Sequence, residues 1–174
     1  MIRKIITAFL ILLTSLVSVH FVLSTIKKVN SSQSIKEHIK YFPRFILKSI
    51  NDTLFNSETI TKGPVIIIFF HPGCEHCQYE IKEITTDEYL IDKTHIILVS
   101  NAPDDEIKKF YYDNELDKYQ KITLLIDSSY KLSDIFGLRS VPLTCIYSKE
   151  LILVKYFKGE VKPDAIVKIL TDND

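Results

Sequence analysis

The sequence predicts an α/β fold in which helices flank a central mixed sheet on both faces. Short apolar runs alternate with amphipathic segments along the chain, as strands alternate with crossover helices. The run 65–70 holds only apolar residues, mostly β-branched, and predicts a strand that is buried on both faces. Two later runs, 143–147 and 151–157, flank Ser148-Lys149-Glu150 and predict a hairpin, which makes part of the sheet antiparallel.

The segments before the central strand predict a second hairpin. Residues 44–50 and 53–55 flank Asn51-Asp52, a pair that is typical of tight turns. Residues 35–41 predict a short helix, and residues 57–61 predict a short helix or a turn.

Six elements lie between the central strand and the chain end, besides the late hairpin. Pro103 and the acids after it suit the free N–H groups and the dipole of a helix N-terminus, and Gly137 suits a helix C-cap. The elements are an amphipathic helix after Cys74, a strand over 95–99, a helix from Pro103, a strand over 122–126, a helix over 129–136 and a last helix opened by Pro163-Asp164.

Length and charge limit the function classes. A chain of 174 residues accommodates one domain and an appendage. Basic and acidic residues number 22 each, so the composition gives no indication of nucleic-acid binding.

An apolar leader precedes the expected domain. Residues 5–23 carry no charge and, as a helix of about 28 Å at roughly 1.5 Å per residue, match the hydrocarbon core of a bilayer. We expect 1–28 to be a membrane anchor or a signal sequence, with the uncleaved anchor favoured, 29–41 to be a linker and 42–174 to be the domain. The expected localisation is single-pass in the cell membrane, with the C-terminal domain in the periplasm or otherwise extracytoplasmic.

Cys74-Glu75-His76-Cys77 lies between the buried strand and the helix that follows it. A C-x-x-C in that position is a redox motif. At the first helical turn Cys74 meets unpaired backbone N–H groups and the positive end of the helix dipole, and both favour the thiolate that attacks a disulfide. Cys77 follows about one turn later and would resolve the mixed disulfide. His76, when charged, would help to hold the thiolate.

Two other uses of the motif stay open. A zinc site could combine Cys74 and Cys77 with His71 and His76, although zinc sites usually take a second ligand pair from a distant segment. A structural disulfide between Cys74 and Cys77 would close a loop too short to stabilise much. Cys145, alone on a predicted strand, is expected to be a buried small apolar residue.

Val141-Pro142 directly precedes the run 143–147, where a proline removes a hydrogen-bond donor from the sheet. A cis peptide bond is one resolution, because cis costs an X–Pro bond only about 0.5–1 kcal/mol. Such a turn would expose the backbone of Val141 beside the thiols as an edge for a substrate chain. The alternative is an ordinary proline at a strand entry.

Together these residues resemble the thioredoxin fold and, more narrowly, the membrane-anchored thiol–disulfide oxidoreductases of the TlpA-like branch, close to the redoxin group. The resemblance covers about residues 42–171. It rests on the buried strand with its C-x-x-C, on Val141-Pro142 at the place of the family's cis-proline, and on the 65 residues from Cys77 to Pro142. That interval leaves room for the extra strand–helix unit of the branch.

The resemblance implies a role for Glu80. The branch often has an acid three residues after the second cysteine, where it tunes the ionisation of the thiols; a solvated glutamate on the helix face is the alternative. The chain departs from the family at Gly73, where a tryptophan is common, and at Ile68, near which thioredoxins carry a buried acid. Any proton relay would therefore use Glu80, His76 or water.

The expected function is a membrane-anchored extracytoplasmic thiol–disulfide oxidoreductase that reduces specific protein disulfides. The expected site residues are Cys74, Cys77, Glu80 and His76 as catalytic groups, with Val141 and Pro142 for the substrate. Expected partners are protein or small thiol and disulfide substrates, an upstream electron donor or acceptor, and the membrane through residues 5–23, without cofactor, metal or nucleic acid.

One alternative is a peroxiredoxin-like thiol peroxidase, although peroxiredoxins carry a threonine where this chain has His71. Another is a non-enzymatic metal- or partner-binding module that uses the same loop.

Overall fold

The computed structural model describes residues 16–26 and 33–173. The chain divides into two compact units, residues 1–37 and 38–174. Residues 16–26 of the first unit form a helix, and a second helix covers 33–38, up to the first residue of the second unit. The second unit contains the sheet. The predicted boundaries after residues 28 and 41 stay predictions.

The predicted membrane localisation needs correction. Among residues 16–26 and 33–173, no helix is both long and apolar enough to cross a membrane. The prediction of a single-pass membrane protein is therefore wrong, and the extracytoplasmic placement that rested on it loses its basis. Residues 5–15 of the predicted span lie outside the described residues.

A seven-stranded mixed sheet forms the centre of the second unit. Its strands, in chain order, are β1 Ile46–Ser49, β2 Leu54–Asn56, β3 Val65–Phe69, β4 His95–Ser100, β5 Ile122–Ile126, β6 Leu143–Tyr147 and β7 Leu153–Lys158. Their spatial order is β2-β1-β5-β4-β3-β6-β7. Strands β3, β4 and β5 are parallel, whereas β6, β7, β1 and β2 pair antiparallel with their neighbours. The predicted α/β fold with a mixed sheet, flanking helices and two hairpins is thereby confirmed.

Five helices connect or follow the strands. They are α1 Glu75–Thr86, α2 Glu88–Lys93, α3 Asp104–Asp113, α4 Lys131–Ile135 and α5 Pro163–Asp172. Sequence analysis missed α2, which has six residues and buries only Leu90, so it is too short for a periodic pattern. Its start does carry a local signal, because the side chain of Asp87 accepts a hydrogen bond from the N–H of Leu90.

The core explains why β3 occupies the middle of the sheet. Every residue of β3 and of β6 is buried, and the two strands pair with Phe69 opposite Leu143. Helix α1 adds Ile81 and Ile84 to the same core. Strands that are apolar on both faces require cover on both sides of the sheet, so β3 delivers the loop that follows it to a fixed point at the end of the sheet.

Candidate active site

The turn between β3 and α1 fixes the first cysteine. The N–H of Cys74 donates to the carbonyl oxygen of His71 at 3.0 Å, and the N–H of Gly73 donates to Nδ1 of the same histidine at 3.0 Å. His71 therefore closes the turn from both its backbone and its ring. Beyond the turn, Glu75 is the first residue of α1, and Cys74 is its N-cap.

Cys74 uses its sulfur as the helix cap. Its Sγ accepts a hydrogen bond from the N–H of Cys77 at 3.3 Å, in place of the oxygen that usually caps a helix. The donor points at the atom on which negative charge develops when the thiolate forms. Cys74 is half-buried, which makes it the more exposed cysteine of the motif.

Cys77 lies one turn further into the helix and is fully buried. Burial raises the pKa of its thiol to about 12, with further contributions from the hydrogen bond and the charge of Cys74 and from the charge of Glu80. Cys77 therefore remains a thiol at neutral pH and needs a base before it can act as a nucleophile.

Glu80 is the buried acid beside Cys77, and its side chain has no solvent exposure. Thr144 Oγ1 donates to its Oε1 at 2.5 Å, and the N–H of Val161 donates to its Oε2 at 3.3 Å. Burial raises the pKa of Glu80 from 4.5 to about 7, against these two hydrogen bonds, which favour the carboxylate; the charge of Glu160 raises it further. The alternative of a solvated helix-face glutamate does not fit this burial.

Sequence analysis missed the partners of Glu80. Thr144 and Val161 belong to β6 and to the segment after β7, 64 and 81 residues away from Glu80 in sequence. The one local signal is the hydroxyl of Thr144 within the apolar run LTCIY. Thr144 pairs with Ile68 of β3, near which thioredoxins carry a buried acid. Through its bond to Thr144, Glu80 of helix α1 therefore places a carboxyl close to a strand that carries none.

His76 takes a partner on the surface. Its Nδ1 lies 2.8 Å from Oε2 of Glu160, with the His76 side chain 78% exposed. Its predicted role in holding the Cys74 thiolate stays a prediction. Glu160 is adjacent to Val161, so the segment after β7 contacts both His76 and Glu80.

The loop before β6 brings Val141 to the same end of the sheet as the cysteine turn. Because Phe69 pairs with Leu143 in antiparallel register, His71 and Val141 both lie just beyond the ends of the paired strands. The Val141–Pro142 peptide bond is cis, which is the first of the two predicted alternatives. Among the residues that the structure describes, neither the N–H nor the C=O of Val141 forms a hydrogen bond.

The alternative of a metal site finds no support in the described part of the chain. There, no three or more His, Cys, Asp and Glu side chains are grouped so that they could hold a metal ion. The ring of His71 accepts a hydrogen bond from Gly73 within the turn, and the ring of His76 contacts Glu160. Cys145 is fully buried in β6, and burial raises its pKa, which fits the expected small apolar residue.

Comparison with known proteins identifies the family. The AhpC/TSA family profile matches residues 40–156, more than half of the chain. The chain belongs to the AhpC/TSA family. No curated protein has a sequence that matches it.

Solved structures share the fold of this AhpC/TSA chain at low sequence identity. The DsbF structure of Mycobacterium tuberculosis is 17% identical, with a TM-score of 0.62, and the alignment covers 79% of this chain and 97% of that one. A secreted M. tuberculosis disulfide oxidoreductase, homologous to E. coli DsbE, is 13% identical over 78% and 98% of the two chains, with a TM-score of 0.64. The exposed lipoprotein thioredoxin Etrx1 of Streptococcus pneumoniae is 24% identical over 75% and 99%, with a TM-score of 0.60.

These comparisons confirm the resemblance to thioredoxin-like proteins of the redoxin group. They also confirm the predicted general class of enzyme, a thiol–disulfide oxidoreductase.

The raised pKa of Glu80 predicts a pH-dependent stability. Folded Glu80 binds its proton more tightly than unfolded Glu80, so its contribution is complete below about pH 4.5 and is lost as the pH rises through about 7. We expect the free energy of unfolding of Glu80→Gln, relative to the unsubstituted protein, to increase by roughly 3 kcal/mol over that range. Urea unfolding at a series of pH values measures this difference.

Glu83→Gln makes the same chemical change on the same helix at a half-buried position. Its stability relative to the unsubstituted protein should vary much less over the range. A difference for Glu80→Gln that stays constant with pH would contradict the raised pKa.

Proposed function

We propose that this protein exchanges two electrons with protein disulfides through Cys74 and Cys77, in the direction of substrate reduction. One arrangement carries the proposal. The half-buried sulfur of Cys74 caps helix α1, and the buried thiol of Cys77 lies one turn further into the helix. One turn beyond Cys77 lies the buried carboxyl of Glu80, with a pKa of about 7. The AhpC/TSA match and the similarity to the secreted M. tuberculosis disulfide oxidoreductase support the reaction class. The reducing direction follows the resemblance to the TlpA-like branch.

Cys74 begins the reaction. Its thiolate attacks one sulfur of the substrate disulfide, forms a new S–S bond and releases the other substrate sulfur as a thiolate. The N–H of Cys77, 3.3 Å from Cys74 Sγ, supports this role because it stabilises charge on the attacking atom. The half-buried position of Cys74 and the full burial of Cys77 support the order of attack.

Cys77 completes the reaction with the help of Glu80. The Cys77 thiol gives its proton to the Glu80 carboxylate, directly or through water, and attacks Cys74 Sγ. The mixed disulfide breaks, the second substrate sulfur leaves as a thiolate, and a Cys74–Cys77 disulfide remains. A base with a pKa of about 7 suits this task at neutral pH, because about half of it is ionised and the carboxylate still accepts a proton readily.

Val141 holds the substrate chain in this proposal. Its backbone N–H and C=O have no partner among the described residues and lie at the end of the sheet where the cysteine turn begins. An extended substrate segment could pair with these groups as a short added strand, with its cysteine over Cys74.

A trapping experiment tests the two cysteine roles. In a Cys145→Ala background, Cys77→Ser should accumulate mixed disulfides with insulin through Cys74, because the second step has lost its nucleophile. Non-reducing electrophoresis and mass spectrometry measure the adduct.

Cys74→Ser is the matched variant and should form much less adduct. Equal trapping by the two serine variants would overturn the assignment of attacking and resolving cysteines. Consumption of hydrogen peroxide that is faster than disulfide exchange would favour the peroxidase instead.

The rate of the second step should report the ionisation of Glu80. Reaction of the dithiol with 2,2′-dithiodipyridine releases one thiopyridone when Cys74 is modified and a second when Cys77 attacks. We expect the second phase to speed up as the pH rises through about 7, and to be roughly 100-fold slower in Glu80→Gln at neutral pH. Stopped-flow absorbance resolves the two phases.

Glu83→Gln again serves as the control and should retain both phases and the pH profile. A second phase in Glu80→Gln with unchanged rate and unchanged pH dependence would remove Glu80 from the proton transfer.

The direction of electron flow is tested by the reduction potential of the Cys74–Cys77 pair. Reducing thioredoxins have values of about −270 mV, and strong oxidants have values of about −120 mV. We expect a value near the first figure or below it, from equilibration with glutathione or dithiothreitol buffers. A value near the second would reverse the proposed direction.

A further inference from the structure

A cleft lies beside the cysteine turn, with a volume of about 260 Å³. It collects residues that follow three parallel strands: His71 after β3, Asn101 after β4 and Tyr130 after β5. The crevice outside the carboxyl ends of parallel strands is the usual place for a ligand in an open α/β sheet. Arg139 and Val141, from the loop before β6, complete the wall on the side of the proposed docking edge.

The cleft has one permanently cationic side chain. Arg139 lies two residues before Val141, is exposed, and forms no ion pair among residues 16–26 and 33–173. Asp134 also lines the cleft, and no salt bridge joins it to Arg139. Both charges are therefore available to a ligand, and an arginine fork matches the two oxygens of a carboxylate.

Tyr130 presents an aromatic ring at the same cleft from a strained backbone. Its φ is +58°, a left-handed conformation that is rare for a bulky residue, and the residue is 53% exposed. Buried Asp127 braces the segment, because its carboxylate accepts from the N–H groups of Leu132 and Ser133 and from the Ser133 hydroxyl. These hydrogen bonds connect the segment after Tyr130 to the residue that follows β5.

We propose that this cleft selects protein segments in which an acidic residue flanks the reacting cysteine, with Arg139 as the specificity-determining residue. If the segment pairs with Val141 and its cysteine reaches Cys74, the side chains next to that cysteine lie over Arg139 and Tyr130. The Arg139 guanidinium then binds the flanking carboxylate, and the ring of Tyr130 covers the adjacent apolar part of the segment. Asp134 opposes an acidic ligand and lowers the selectivity that Arg139 provides.

This inference rests on the proposed function, and its chemistry is the same exchange. Two electrons pass from the Cys74 and Cys77 sulfurs to the substrate disulfide. Two substrate thiolates leave, and one protein disulfide forms. Arg139 takes no part in bond formation or bond breakage. It changes only how often a segment with an acidic residue beside its cysteine binds in the cleft.

The experiment uses the full chain and short peptides whose single cysteine carries a neutral 2-thiopyridyl group as a mixed disulfide. The peptides differ only in the residue next to the cysteine, which is Glu, Gln or Lys. Release of thiopyridone gives the second-order rate constant, and each value is divided by that for dithiothreitol to remove the intrinsic reactivity of the peptide. We expect Glu to exceed Lys by about three- to fivefold, as an exposed ion pair allows, with less preference at high salt.

Three variants make the assignment specific. Arg139→Ala should abolish the preference for Glu with little change for the Gln peptide, whereas Asp134→Asn should increase it. Lys131 is a cation on helix α4 whose side chain does not line the cleft. Lys131→Ala is therefore the control and should leave the preference unchanged.

The possible outcomes distinguish a failure of the proposed selectivity from a failure of the proposed function. No release above that of Cys74→Ser with any peptide would overturn the proposed function. Normal release without a Glu preference, a preference for Lys, or a Glu preference that survives Arg139→Ala would overturn the selectivity alone. An Arg139-dependent reaction with oxidised glutathione, without discrimination among the peptides, would replace the protein segment by a small anionic disulfide.

Discussion

The burial of one carboxyl group constrains the whole site. Glu80 lies inside the core, where an ionised group is costly unless donors surround it, and its two donors come from distant parts of the chain. Thr144 reaches it from the strand next to β3, and Val161 reaches it from the segment after the last strand. The end of helix α1 that carries the thiols is thereby tied to the sheet and to the C-terminal segment at one point.

The spacing of α1 places the three groups in the order in which the proposed reaction uses them. Positions 77, 80, 81 and 84 are its buried positions, a stripe that in an ordinary amphipathic helix would hold only apolar residues. Here a thiol and a carboxyl occupy its first two places, and Cys74 stands before them at the cap. One helical turn separates each group from the next, so the groups pass from half-exposed sulfur to buried sulfur to buried acid.

Similar architectures at 13–24% identity establish the arrangement of strands and helices, and function resides in the residues placed upon it. Two such features are the His76–Glu160 pair and the cleft with Arg139 and Tyr130. The pair joins helix α1 to the segment after β7, and Arg139 and Tyr130 lie outside the strands, next to helix α4.

The sequence by itself determined the alternation of strands and helices, because apolar periodicity and turn residues act locally. It also placed Cys74 and Cys77 at a helix start, since the spacing of the motif and the strand before it are local facts. It left α2 undetected, and it predicted a membrane-spanning helix from hydropathy that the structure does not contain in its described residues. Only the tertiary structure decided that Glu80 is buried with Thr144 and Val161, and that Arg139 and Tyr130 face one cleft with His71. Those contacts join segments far apart in the chain, and their partners are set by sheet order and register, which no local pattern encodes.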